Sequence, residues 1–192
     1  MSNTVAIILI TTEPGGRKGL TGQTSSHAKK HLLIKLVEQA KASMAENIII
    51  VTDDASDKLK EVLIGKEVQV VFNNDWKEGT ASFVRFGLKE LQKINPGIDA
   101  FILVTPGHQE ASSNLFDKLI NAHRQTGKPI VTCTYNDQPG PPALFHQSMF
   151  PELMQLIGDN GPAKIVEVHM GNTISIPVIS ESVLKKNQQS IT

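Results

Sequence analysis

Three stretches of this chain carry residue types that could hold an anion or a metal. The first is Asn73-Asn74-Asp75-Trp76-Lys77-Glu78-Gly79-Thr80-Ala81-Ser82, which follows the apolar run Val68 to Phe72. A strand there would lead through a turn into a helix whose opening residues include Gly79, Thr80 and Ser82. The first N–H groups of a helix have no partner inside it and attract anions, so these three residues are candidates for binding a substrate. The second stretch, Thr11 to Gly22, is a Gly-rich loop after the apolar run Val5 to Ile10 and contains Arg17 and Lys18. Backbone amides beside two cations can cradle an anion, which makes Gly15, Gly16, Arg17 and Lys18 anion-binding candidates. The other reading is a surface loop that binds nothing. The third stretch is Gly107-His108-Gln109-Glu110. His108 could ligate a soft metal such as Zn²⁺ with Glu110 nearby, or it could be a loop histidine donating one hydrogen bond.

These stretches lie between elements that alternate in period. Strands are expected at 5–10, 48–51, 68–72, 100–104 and 130–134, each a short apolar run. Helices are expected at 30–45, 57–63, 80–93 and 113–126, from apolar residues at helical spacing and from the Pro- and Gly-bearing stops after 93 and 126. Strands alternating with helices predict a parallel sheet covered on both faces, with ligands at the carboxyl ends of the strands. Beyond Tyr135 the pattern changes. Gln138-Pro139-Gly140-Pro141-Pro142 reads as a stiff turn, 143–145 as a short strand, 150–157 as a short helix, 158–162 as a loop and 174–176 as a late strand.

Composition bounds the function. The 192 residues suffice for one domain, expected over 1–186 with a flexible tail at 187–192. Lys+Arg and Asp+Glu are 19 each, and a net charge of zero argues against a nucleic-acid partner. The single cysteine, Cys133, excludes an internal disulfide framework and reads as a small buried hydrophobe rather than a nucleophile. No apolar run approaches the roughly 20 residues that span a bilayer. The first apolar run has no basic segment before it, so the expected location is cytoplasmic. His123, His146 and His169 show no ligand spacing and are expected on helix or strand surfaces. Lys29 lies in a basic patch that is either solvated or near a substrate anion.

The order Asn73, Trp76, Gly79, Ser82 resembles a segment of molybdenum cofactor cytidylyltransferases and other MobA-like NTP transferases. Gly140-Pro141-Pro142-Ala143-Leu144-Phe145 and Gly158-Asp159-Asn160-Gly161 resemble two further family stretches, and the element order agrees over roughly residues 5 to 185. The resemblance implies a three-layer α/β/α fold with a mostly parallel sheet, the Rossmann-like nucleotide-diphospho-sugar transferase fold. It implies a nucleoside triphosphate, CTP or GTP, held by Thr11 to Gly19. It also implies a phosphorylated acceptor such as molybdopterin beside Gly79, Thr80 and Ser82, and Mg²⁺ as cofactor.

The family's catalytic residues are largely unmatched. Arg17 and Gly19 agree with the family loop, but Glu13 stands where the family has Gly and Gly22 where it has Lys. His108 takes the place of the first Mg²⁺-binding Asp, and Ile176-Pro177-Val178-Ile179-Ser180-Glu181 offers no second Asp. Glu13, His108 and Glu110 are the remaining candidates for a replacement catalytic or metal site. The expected function is therefore a nucleotidyltransferase-like protein that binds a triphosphate and transfers a nucleotide. The alternative is a member without turnover that acts as a ligand-binding or regulatory module with a protein partner. A sugar-nucleotide transferase shares the fold class, and nothing in the sequence selects a sugar.

Overall fold

The protein is described by a computed structural model covering residues 4–11, 26–53, 61, 63–105, 111–159 and 161–178, with side chains from residue 31 onward in the first helix. Seven strands form one sheet: β1 (Val5–Ile10), β2 (Asn47–Thr52), β3 (Gln69–Phe72), β4 (Ala100–Val104), β5 (Ile130–Tyr135), β6 (Gln138–His146) and β7 (Thr173–Pro177). Their order is β3-β2-β1-β4-β6-β5-β7. β1 pairs in parallel with β2 and β4, as do β2 with β3 and β5 with β7. β6 runs antiparallel between β4 and β5. The central strands β1, β2 and β4 are continuous apolar runs because both of their faces are covered.

Alternation within each strand divides the core in two. Ile7, Leu9 and Ile102 pack under α1 (Ser26–Lys41) and α3 (Ser113–Thr126), against Leu33, Val37, Phe116 and Leu119. Ala6, Ile8, Ile49 and Phe101 pack on the other face under α2 (Thr80–Ile94) and α4 (Phe150–Leu153), against Phe83, Leu88, Leu91, Phe150 and Leu153. This is the expected three-layer arrangement. Gly87 lets α2 lie close on the sheet, since a Cβ there would stand 2.9 Å from methyl groups of both Ile8 and Val51.

Several boundaries differ from expectation for identifiable reasons. The helix expected at 30–45 is Ser26–Lys41. It ends where the Ser43 hydroxyl donates to the Ala40 carbonyl and the Met44 N–H donates to Asp117. The stiff turn expected at 138–142 is instead the first half of β6, and the turn is Asn136-Asp137, both with positive φ. Its prolines are tolerated because β6 meets β4 only from Ala143 onward, so Pro139, Pro141 and Pro142 need donate nothing on that side. The helix expected at 150–157 stops at Leu153, and α5 (Ala163–Val168) was not anticipated. Most of the helix expected at 57–63, and the tail from 187, lie outside the described residues.

Phe101 is fully buried between the rings of Phe145 and Phe150, with centroids 5.8 and 5.6 Å away. Phe101→Ala opens a cavity where β4, β6 and α4 meet. Urea denaturation should show a loss of about 3–5 kcal/mol in unfolding free energy.

Candidate functional site

The sheet order marks a candidate place for a ligand. From β1 the chain moves outward through β2 to β3, then returns to lay β4 on the other side of β1. Connections leaving the carboxyl ends of β1 and β4 therefore diverge, and open α/β sheets bind ligands in the crevice between them. Thr11 leaves β1 there and Thr105 leaves β4. Thr11 still follows the sheet, since its N–H donates to the Val51 carbonyl at 3.1 Å. Of the phosphate-binding candidates, Thr11 alone is described. Thr12, Glu13, Gly15, Gly16, Arg17, Lys18, Gly19, His108 and Glu110 lie outside the described residues.

The neighbouring rim, after β3, is fully described. Asn73 is completely buried. Its N–H donates to the Thr52 carbonyl at 2.8 Å, which extends the β2–β3 ladder by one residue. Its Nδ2 donates to the Ser82 hydroxyl at 2.9 Å, and its Oδ1 accepts the Asp75 N–H at 3.0 Å. The Ser82 hydroxyl in turn donates to the Gly79 carbonyl at 2.8 Å. One side chain thus fixes the strand exit, the 3-10 turn Trp76–Glu78 and the start of α2.

The start of α2 is capped by the chain itself. The Ala81 N–H donates to the Gly158 carbonyl at 3.0 Å, and the Ser82 N–H donates to the Gly79 carbonyl at 3.1 Å. Arg85 donates to the Leu156 carbonyl and pairs with the Glu78 carboxylate, so the segment after α4 is clamped onto α2. Gly79, at φ 87° and ψ −167°, makes the seat. A Cβ there would stand 2.9 Å from the Gly158 carbonyl carbon and would collide with Asp159 Oδ1. Ser82, a substrate-binding candidate through the donors of the helix start, is 2% exposed; its N–H already donates to the Gly79 carbonyl and its hydroxyl is engaged on both sides. Gly79 is buried as well, which leaves half-buried Thr80 as the accessible member of that trio.

Other candidates resolve in the same way. Cys133 is buried, and burial pushes its thiol up to about 12 against a hydrogen bond with Tyr135 that pulls it down, so it is no thiolate nucleophile. His123 is not on the surface as expected but 8% exposed, and its ring lies 5.2 Å from that of His146. His169 pairs with Glu152 at 2.7 Å, tying α4 to the end of α5. Among the described residues no three His, Cys, Asp or Glu gather to hold a metal, and β7 ends without a carboxylate. The described donor set therefore does not fit a divalent metal. A hollow of about 90 Å³ lies beside α2, lined by Asn73, Asp75, Ser82, Arg85, Phe86, Lys89 and Met154; neither Thr11 nor Thr105 lines it. The sequence marks Asn73 only as a residue of the family-like segment, without a role, and does not mark Arg85. A polar residue directly after an apolar strand was the available signal for Asn73.

Gly79→Ala tests the seat. The left-handed backbone and the overlap with Gly158 and Asp159 together should cost about 2–4 kcal/mol. Urea denaturation reads the loss. A stability within about 0.5 kcal/mol of wild type would mean that the 158–159 segment does not rest on Gly79.

Solved structures share this architecture. The Rv0371c protein of Mycobacterium tuberculosis H37Rv, also solved in complex with manganese, superposes with a TM-score of 0.73 at 18% identity over 93% of this chain and 89% of that one. A nucleotidyl transferase from Methanothermobacter superposes at 0.68 and 13% identity over 93% and 88% of the two chains. The 4-diphosphocytidyl-2C-methyl-D-erythritol synthase of Anaerococcus prevotii superposes at 0.66 and 16% identity over 99% and 97%. No curated protein matches the sequence. In the described residues no helix is long and apolar enough to cross a membrane. The MobA-like NTP transferase domain matches residues 16–173, more than half of the chain, so the protein belongs to the MobA-like NTP transferase family.

Proposed function

We propose that this protein binds a nucleoside triphosphate, CTP or GTP, in the crevice between the exits of β1 and β4. The observation that carries the reading is the reversal of strand order at that point in a chain of this family. In this reading Thr11 and Thr12 open the loop, Gly15, Gly16 and Gly19 let its amides approach the phosphates, and Arg17 and Lys18 neutralise them. The acceptor, a small phosphorylated molecule such as molybdopterin, meets the rim at Thr80 rather than at the occupied Ser82 hydroxyl. A cytoplasmic setting suits one buried, unpaired thiol.

Nucleotidyl transfer draws on stabilised phosphate charge more than on covalent help from the protein. The manganese complex of the Mycobacterium protein favours a divalent ion in the family. In this chain Glu13, His108 and Glu110 are the candidates to hold one, and Mg²⁺ suits the carboxylates better than His108. A second reading has its own support: β7 ends in Ile176-Pro177 with no carboxylate, which favours a member that binds a ligand, or a protein partner, without turnover.

Calorimetric titration with CTP, GTP, ATP and UTP, each with Mg²⁺, Mn²⁺ or no metal, tests the proposal. One nucleotide should bind at micromolar Kd, and Arg17→Ala should weaken it about tenfold or more, the worth of one charged hydrogen bond. Binding that needs a metal supports a replacement ligand set; binding that ignores it favours the second reading. Absence of binding by all four nucleotides would refute both uses of the crevice.

A further inference from the structure

His123 lies in the last turn of α3 and His146 closes β6 opposite Ala100, at the amino ends of the parallel strands and far from the candidate nucleotide edge. Their rings stand 5.2 Å apart, tilted by 34°. Hydrogen bonds give the two Nδ1 atoms opposite roles. A carbonyl only accepts, so His123 Nδ1 carries the hydrogen that it donates to the Lys128 carbonyl at 2.8 Å. A backbone N–H only donates, so His146 Nδ1 is the acceptor of the Ser148 N–H at 3.2 Å and keeps its ring hydrogen on Nε2. That same Nδ1 caps the 3-10 turn Gln147–Met149, which runs straight into α4.

A proton arriving at neutral His146 has one place to go, the lone pair on Nδ1. It replaces the cap's acceptor with a donor that faces the Ser148 N–H and whose partner there is the Ser148 hydroxyl oxygen at 3.0 Å. It also sets a positive charge against the buried His123 ring. We propose that His123 and His146 form a proton-operated latch that holds the Ser148 N–H, in the turn before α4, while His146 is neutral and releases that N–H when His146 is protonated.

The surrounding charges define the latch. Asp99, just before β4, is the anionic neighbour of His146, and its carbonyl accepts the Gln147 N–H at 2.6 Å. Its carboxylate is shared with the Thr4 N–H at 2.9 Å. On α3, Arg124 reaches toward Met44 Sδ at 3.9 Å. Lys128, in the loop before β5, extends its ammonium to the Gly171 carbonyl at 3.1 Å. Burial first, then the His123 ring, hold the His146 pKa below its ordinary 6.5, with Asp99 pulling the other way. The folded chain therefore holds fewer protons at His146 than the unfolded chain does. The resulting stability is complete above about pH 6.5 and is lost as the pH falls through the folded pKa. Beyond the latch, the same run of chain carries the Leu156 and Gly158 carbonyls that clamp the start of α2.

NMR titration of the full chain between pH 8 and 5 tests the latch. The His146 ring resonances should titrate with a midpoint below 6.5, and the Ser148 amide should shift and lose exchange protection with that same midpoint. Urea unfolding of His146→Gln beside wild type should show that the variant lacks the part of the acid destabilisation that follows His146. A His146 midpoint at or above 6.5, or a Ser148 amide indifferent to it, would overturn the proposal. If His146→Gln does not fold, the wild-type titration alone decides.

Discussion

One buried amide organises the rim of this protein. Asn73 has no contact with water, so each polar atom of its side chain needs a partner, and it finds them in Ser82 and Asp75. Through them it joins the exit of β3, the Trp76 turn and the first turn of α2. The Ser82 hydroxyl is used up in that network, and Gly79 is held in a backbone conformation that leaves its carbonyl facing Ser82. The carbonyl of Gly158 then completes the cap from across the fold. The polar groups of the rim satisfy one another, so the rim has little left to offer an anion.

That redistribution bears on the chemistry. In a family whose members handle nucleoside triphosphates, phosphate charge has to be met by cations and amides somewhere. Here the helix start after β3 is largely closed, and the cations Arg17 and Lys18 stand in the loop after β1. Glu13 in that loop would repel phosphate oxygens unless a metal bridges them, and Pro14 beside it removes one amide donor. Ligand binding and turnover are therefore separable questions for this chain. The first asks only for the cations and amides of one loop. The second asks in addition for a ligand set that the described residues do not contain.

Much of the fold was legible. β1, β2 and β4 announce themselves as continuous apolar runs because both faces are covered, and α3 matched its expected span because Ser112 caps it and Gly127 ends it. The first half of β6 was illegible because three prolines normally argue against a strand, and only the missing β4 partner before Ala143 makes them harmless; its second half was expected at 143–145. The crevice proposed for the ligand follows from the alternation of strands and helices. The role of Ser82 does not, because a serine in the first turn of a helix looks the same whether it faces a ligand or a buried Asn73. The meeting of His123 and His146 was equally hidden: 23 positions apart in the sequence, they come together only because α3 packs across β5 and β6.

The central claim is that ligand capacity lies at the β1 and β4 exits while the start of α2 is closed by the protein's own atoms. Amide chemical-shift mapping on addition of CTP or GTP with Mg²⁺ tests it most directly. The account predicts shifts gathered at Thr11 to Gly19 and around Thr105 to Glu110, with Ala81 and Ser82 nearly unmoved. Shifts centred on Ala81 and Ser82, or on Arg85 and Lys89 beside the hollow, would contradict it.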